Sequence, residues 1–311
     1  MTDMRAVRVH TFGDASHLKL ENIPKPELPA DGILIRQRAT SVNPVDWKLR
    51  DGHFPPVGED ALPVIPGGDV AGVVEGVGAS VPNFETGDEV YGLIGIVGAY
   101  ADYVVAKPQM VAKKPKTVDF GEAAAVPLAA LTAWQGLIDL GGLAAGKRVL
   151  IHGGTGGVGH FAIQIAKAKG AWVATTVSGQ EAEFARELGA DQVVDYKTER
   201  FEDVVEPVDI VFDLIAGDTQ TRSFGIIKPG GALVSTLGEP DSDLGTRHGI
   251  RTAGFLVEPN ADQLGELAAL VDEGQVKITV QRRFPLEDIA AAQDMLEKEH
   301  TRGKIVVDIS A

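Results

Sequence analysis

Arg148-Val-Leu-Ile-His-Gly-Gly-Thr-Gly-Gly-Val-Gly-His-Phe-Ala-Ile-Gln-Ile-Ala-Lys-Ala168 is the stretch that decides the fold. It opens on a short, mostly apolar run of the kind that lies buried in a parallel sheet. Gly154, Gly156 and Gly159 then fit G-x-G-x-x-G. Val158, Phe161, Ala162, Ile165 and Ala166 follow at the i, i+3, i+4, i+7, i+8 spacing of an amphipathic helix. Strand, glycine turn and helix in that order suit a pyrophosphate. Missing Cβ atoms let the backbone bend sharply and come close, and the helix N-terminus offers amide donors to the negative charge. The same turn also reads as a tight βα loop with no ligand. Its flanking strand and helix favour a dinucleotide site, with Gly154, Thr155, Gly156, Gly157, Val158 and Gly159 as the cradle.

On the C-terminal side the alternation continues, with strands expected at 171–177, 192–196, 208–215 and 232–236 and a helix at 181–188. A further helix follows residue 215, and Pro229-Gly230-Gly231 makes a turn before the last of these strands. Apolar strands alternating with amphipathic helices specify a doubly wound parallel sheet covered on both faces. Upstream, 122–140 reads as helical. Beyond Phe255 come a helix at 261–273, a strand at 276–280, a helix at 286–298 and a last strand at 304–309. The first hundred residues differ. Short runs at 4–11, 32–40, 69–77, 89–93 and 100–105, separated by turn residues, predict antiparallel strands of a barrel-like β domain. Pro44, Pro55, Pro56, Pro63 and Pro66 break the region between the second and third runs into loops. The expected class is α/β, with a dinucleotide-binding domain at 123–257 and a second domain built from 1–122 and 258–311.

A chain of 311 residues has room for two such domains. Its 37 glycines are well above the roughly 7% of ordinary chains, as close backbone approaches require. The absence of cysteine removes disulfides, thiolate nucleophiles and every Cys-based zinc site. A formal charge of −15 repels phosphate backbones and anionic lipid, so neither nucleic acid nor a membrane surface is an expected partner. The first twenty residues lack the apolar core of a signal peptide, which makes the cytoplasm the expected location.

The choice between dinucleotides rests on the end of the second strand, Thr175-Thr-Val-Ser-Gly-Gln180. Ser178 stands where NAD-specific sites place an acid on the ribose, so a 2′-phosphate is not repelled there. No Lys or Arg lies between Ser178 and Phe184 to grip it. NADP(H) is therefore expected with only a modest preference, one charge-assisted hydrogen bond being worth about 1.5–3 kcal/mol. Tyr196, at the end of the third strand, is a further adenosine contact.

Several motifs together resemble the medium-chain dehydrogenase/reductase superfamily over nearly the whole chain. They are Ser41-Val-Asn-Pro-Val-Asp-Trp-Lys-Leu-Arg50, Pro63-Val-Ile-Pro-Gly-Gly-Asp-Val-Ala-Gly72, Gly87-Asp-Glu-Val-Tyr-Gly92, Val126-Pro-Leu-Ala-Ala-Leu-Thr-Ala-Trp134, the glycine loop and Arg302-Gly-Lys-Ile-Val306. The resemblance is to the zinc-independent quinone oxidoreductase-like and enone-reducing branch. It implies a Rossmann domain beside a GroES-like catalytic domain, and a homodimer. Where the zinc enzymes carry a Cys and a Gly-His-Glu, this chain is similar but has Asn43 and Gly67-Gly68-Asp69, and the structural four-Cys lobe is missing. None of the seven histidines shows the spacing of a metal pair. The implied reaction is hydride transfer from NADPH to a quinone or to the C=C of an α,β-unsaturated carbonyl, without a metal.

The resemblance places Asn43, Asp46 and Lys48 beside the nicotinamide ribose and substrate. Asn43 is then a donor near the acceptor, Asp46 orients the loop, and Lys48 orients the cofactor and relays a proton. Lys48 stands where many quinone reductases of the family carry a Tyr. The same residues also read as an exposed Asp46–Lys48 ion pair and a turn-initiating Asn43. Thr132 resembles the family's threonine near the nicotinamide phosphate, and reads equally as helix packing. Ile215 and Ala216, Leu237, and Phe255, Leu256 and Val257 are candidates for the cofactor wall, the last three also fitting an apolar core strand. A dinucleotide-binding redox sensor or structural protein without catalysis is the alternative from another class. A G-x-S-x-G elbow, the mark of a nucleophilic hydrolase, does not occur.

Overall fold

The computed structural model describes residues 3–54 and 56–309; Pro55, one of the expected loop breakers, lies outside them. The chain divides into two compact units, one of Met1–Leu128, Glu258–Asp272 and Ile278–Ala311, the other of Ala129–Val257 and Glu273–Lys277.

In the first unit β1 (Asp3–Val9) and β2 (Leu18–Pro24) form an antiparallel hairpin. The main sheet takes β3 (Ile33–Val42), β4 (Asp69–Val77), β5 (Glu89–Leu93), β6 (Tyr103–Ala106) and β7 (Val111–Lys113). Two C-terminal strands, Val280–Pro285 and Lys304–Asp308, join it. The order is Val280–Pro285, Lys304–Asp308, β3, β4, β5, β7, with β6 also on β3. Single bridges from Ala6 to Ala101 and from Val9 to Val64 tie the hairpin on. Ile33, Ile35, Val70, Val74, Val90 and Val104 pack one side of the core, while Val7, Val42, Leu286, Ile289, Ile305 and Val307 pack another. Between β3 and β4 the expected run of loops begins as a helix instead, α1 (Pro44–Arg50). A proline at the first turn gives up only an N–H that had no partner there, so Pro44 starts a helix rather than breaking one. Arg50, 1% exposed, ends it by donating to Gly13 O (3.0 Å), Gln293 Oε1 (2.9 Å) and Glu297 Oε2 (3.0 Å).

The expected helix at 122–140 is three pieces: α2 (Phe120–Ala124), α3 (Pro127–Trp134) and a π-helical turn, Gln135–Leu140. Pro127 disfavours helix at Val126 and splits the first two. Gly136, whose Cβ would lie 2.4 Å from the Phe212 ring, sits in the wider turn.

The second unit is a six-stranded parallel sheet of β8 (Arg148–His152), β9 (Trp172–Val177), β10 (Gln192–Asp195), β11 (Val208–Asp213), β12 (Ile227–Ser235) and β13 (Arg251–Gly254). Its order is β10-β9-β8-β11-β12-β13, and α4 (Gly159–Ala168) follows β8. The chain winds outward from β8 in one direction and then from β11 in the other. This leaves a crevice at the carboxyl ends of those two strands, where doubly wound sheets bind ligands. Two local expectations are corrected here. The Pro229-Gly230-Gly231 segment lies inside β12, where the ladder to β11 is irregular between Val208 and Ile210. The strand expected at 276–280 forms later, at Val280–Pro285, because the Gln164 amide already pairs with the backbone of Lys277, accepting its N–H (2.8 Å) and donating to its carbonyl (2.9 Å).

Candidate active site

The glycine loop divides its work among three positions. A Cβ on Gly154 would lie 2.0 Å from Thr175 Oγ1, and one on Gly159 would lie 2.1 Å from Gly153 O, so packing of the protein itself excludes side chains at both. A Cβ on Gly156 would meet nothing nearer than Gly153 O at 3.7 Å. The middle glycine therefore faces open space at the start of α4, as a backbone approached by a pyrophosphate must. Thr155 is buried beneath the turn, and Gly157 and Val158 lead into the helix.

Large apolar side chains stand exposed at the carboxyl ends of four successive strands: Tyr196 (61%), Ile215 (53%), Leu237 (44%) and Leu256 (57%). An apolar rim above a switch-point crevice suits the flat faces of a dinucleotide. Phe255, Leu256 and Val257 are not a core strand, since they follow β13 in irregular backbone with Leu256 turned to solvent. Asp213, fully buried at the end of β11, shapes two of these loops. Its carboxylate accepts from the N–H groups of Ile215 (3.0 Å) and Ala216 (2.9 Å), from Gln220 Nε2 (2.8 Å) and from Ser235 Oγ (3.1 Å). Ser235 Oγ in turn accepts from the Leu237 N–H (3.1 Å). Ser178 is half-buried at the end of β9, and Thr132 is buried on α3. A Cβ on Gly179 would meet Asp195 Oδ2 at 2.6 Å, which puts a carboxylate next to the Ser178 turn.

His152 ends β8 in the core of this unit, with Nε2 2.9 Å from Ser223 Oγ and Nδ1 3.0 Å from Thr176 Oγ1. Burial pushes its pKa down to about 4, against the pull of Asp213. It is a neutral packing residue.

In the first unit a polar cluster lies buried where β3 meets α1 and β4. Asp69 Oδ2 accepts from Ser41 Oγ (2.5 Å) and Asn43 Nδ2 (2.7 Å), and Asp69 Oδ1 accepts from the Leu128 N–H (2.7 Å). Asp46 Oδ2 accepts from the Asn43 N–H and the Tyr100 hydroxyl, both at 2.7 Å. Lys304 Nζ donates to Asn43 Oδ1 and to Val42 O (3.1 Å), with Asp69 Oδ2 at 3.9 Å. Burial raises the Asp46 carboxyl to about 7, although the bonds from Tyr100 and Asn43 pull it down. Burial likewise pushes the Lys304 ammonium below its ordinary value, opposed by Asp69 and Asp46. The exposed Asp46–Lys48 pair considered above does not form: Asp46 is fully buried, and Lys48, half-buried on α1, lies 5.7 Å from the Trp47 ring centroid. Among the described residues no three His, Cys, Asp or Glu gather in a way that holds a metal ion.

Asn43 and Asp46 thus share one network, and Lys48 stands apart from it. Sequence reasoning did not single out Asp69, Tyr100 or Lys304 as parts of such a network. For Lys304 a signal existed, since a lone cation opens the otherwise apolar run Lys304-Ile-Val-Val307.

Residues 29–116 match the alcohol dehydrogenase GroES-like domain family, and residues 188–307 match the zinc-binding dehydrogenase family. The NADPH-dependent alkenal/one oxidoreductase of Arabidopsis thaliana, a chloroplast protein, is 39% identical over 98% of this chain and 79% of that protein. The quinone oxidoreductase of Coxiella burnetii superposes with a TM-score of 0.92 at 36% identity, covering 99% of this chain and all of that one. The Escherichia coli quinone oxidoreductase complexed with NADPH gives 0.87 at 27% identity over 98% of this chain and 100% of the other.

Proposed function

The chain belongs to the medium-chain dehydrogenase/reductase superfamily, in its quinone oxidoreductase-like and enone-reducing branch, and from that premise we propose that it is an NADPH-dependent reductase of quinones and α,β-unsaturated carbonyls. When bound, NADPH supplies the hydride. The observation that carries the reading is Gly156, whose missing Cβ opens the strand–turn–helix cradle to a pyrophosphate while its neighbours Gly154 and Gly159 are committed to packing. Residues 154–159 hold the pyrophosphate, and Ser178 and Tyr196 take the adenosine end. Thr132, Ile215, Ala216, Leu237 and Phe255–Val257 line the nicotinamide half.

Asn43 donates toward the acceptor's oxygen and Asp46 fixes the start of α1. Lys48 orients the ribose and helps deliver the proton. An enone or quinone is already electrophilic, so polar donors suffice to receive the charge that moves onto oxygen. Zinc independence is part of the proposal. It is supported by Asn43 and Asp69, which bond to each other and to the Lys304 ammonium at the positions where zinc enzymes carry ligands. A homodimer in the cytoplasm, with no nucleic-acid partner, completes it. The charge of −15 supports that last point, and no helix among the described residues is long and apolar enough to cross a membrane.

The test is oxidation of NADPH and NADH, followed by absorbance, with a panel of quinones, short enones and alkenals. Expected are acceptor-dependent turnover and a preference for NADPH of about tenfold, modest because no Lys or Arg lies between Ser178 and Phe184 and Asp195 stands close by. Gln180→Arg should sharpen that preference, and dialysis against a chelator should leave turnover unchanged. Tight NADPH binding without oxidation by any acceptor would overturn the enzyme reading in favour of a sensor.

A further inference from the structure

Lys304 belongs both to a family motif and to the buried cluster around Asp69. It is 3% exposed and opens a strand whose other residues, apart from Asp308 at its end, are apolar. Taking an ammonium out of water costs several kcal/mol, and a buried ion pair often stabilises a fold no better than apolar residues of similar size. The buried Asp69 carboxylate, 3.9 Å away, offsets part of that cost, but the ammonium's nearer partners are oxygens of Asn43 and Val42.

Besides the Val42 carbonyl, the ammonium donates to one side chain. Asn43 receives the ammonium on Oδ1 and offers Nδ2 to the Asp69 carboxylate (2.7 Å). A cation on one end and an anion on the other hold the amide in a single orientation, because the flipped amide would face both charges with the wrong atom. Nδ2 has two hydrogens. One is committed to Asp69, and the other has no acceptor among the described residues. An ammonium on the amide oxygen withdraws electron density from nitrogen and makes the remaining N–H a stronger donor, as linked hydrogen bonds polarise one another.

We propose that Lys304 is a positioning residue for reduction: acting through Asn43, it presents and strengthens the free N–H that meets negative charge developing on the acceptor's oxygen. The inference rests on the function proposed above. In the step it serves, hydride leaves the C–H bond that held it in NADPH and adds to the β-carbon of an enone, forming a new C–H bond. The C=C electron pair moves to join the α-carbon to the carbonyl carbon, and the carbonyl π pair goes onto oxygen. A proton delivered with the help of Lys48 then adds to the α-carbon as the carbonyl π bond re-forms, giving the saturated ketone and NADP⁺.

Lys304→Met, Lys304→Gln, Asn43→Ala and the Lys304→Met/Asn43→Ala double variant separate this role from a structural one. With but-3-en-2-one, Lys304→Met is expected to lower kcat about 10- to 100-fold with little change in KM, within the range for loss of an oxyanion donor. Reduction of 1,4-naphthoquinone should fall much less, because its product anion is aromatic and needs less help. NADPH affinity, read by fluorescence titration without acceptor, should stay within about twofold. Once Asn43 is Ala, Lys304→Met should add almost nothing, the mark of two residues acting as one. Lys304→Gln, which keeps a donor for the amide but no charge, should fall between wild type and Met, and it carries the test if the Met variant does not fold. Multiplicative losses in the Asn43→Ala background, or equal losses on both acceptors that track a lowered Tm, would overturn the inference. A wild type that reduces neither acceptor refutes the function itself, whereas an active wild type matched by Lys304→Gln refutes only the role of Lys304.

Discussion

Three glycines that look alike in a motif differ in what surrounds them, and substitutions should sort them. Gly159→Ala forces a Cβ to within 2.1 Å of Gly153 O, a backbone atom that cannot swing away. Overpacking of this kind costs typically about 1–3 kcal/mol, so the variant should lose stability whether or not cofactor is present. Gly156→Val adds a side chain to open space and should unfold at nearly the wild-type temperature. Its NADPH affinity should nevertheless fall by about 100-fold or more, since the branch takes the room of the pyrophosphate. Denaturation curves and a fluorescence titration on the same two samples check this. Normal binding by Gly156→Val would displace the pyrophosphate from the loop.

At the scale of elements, the loop after β11 stores strain that its anchors explain. Ala216 is the one non-glycine residue with positive φ among those described, at φ 64° and ψ −165°, a region open essentially to glycine alone. Such a conformation costs about 1–3 kcal/mol and persists only where the surroundings impose it; here Asp213 accepts the N–H groups of both Ile215 and Ala216. Ala216→Gly should therefore raise stability, by the relieved strain less the roughly 0.4–1 kcal/mol that glycine adds to unfolded-state entropy. A destabilised variant in urea denaturation would contradict this account of the loop. The glycine turn, the strands around it and a doubly wound parallel sheet were legible in the sequence because period and turn chemistry act locally; β4 and β5 even match their expected ends. What escaped depended on distant partners: α1 held by Arg50 through Gln293 and Glu297, the chain at Lys277 held by Gln164, and Asn43 held by Lys304, 261 positions away. A proline run reads as loop until the residues that satisfy its flanks are known.

For the molecule as a whole, two buried groups set opposing dependences of stability on pH. His152 titrates near 4 when folded and near 6.5 when unfolded. Between those values the unfolded chain binds the extra proton, so this contribution to stability is lost as pH falls from about 6.5 towards 4. Asp46 titrates near 7 when folded and near 3.8 when unfolded. Here the folded chain holds the extra proton, and the contribution is lost as pH rises from about 4 through 7. Each slope reaches about 1.4 kcal/mol per pH unit, with opposite sign, over nearly the same interval. Stability of the wild type between pH 4.5 and 6.5 should be flatter than either group alone would make it. Removing one group exposes the other. Asp46→Asn keeps a side chain of the same shape for Tyr100 and Asn43, and its stability should climb more steeply with pH than that of the wild type. His152→Gln should reverse the trend and lose stability as pH rises. Because the two residues lie in different units, denaturation should be followed by probes in each, and the flat profile is expected where both probes report a single transition. A pH profile of Asp46→Asn parallel to that of the wild type would show that this carboxyl titrates at its ordinary value in the folded protein.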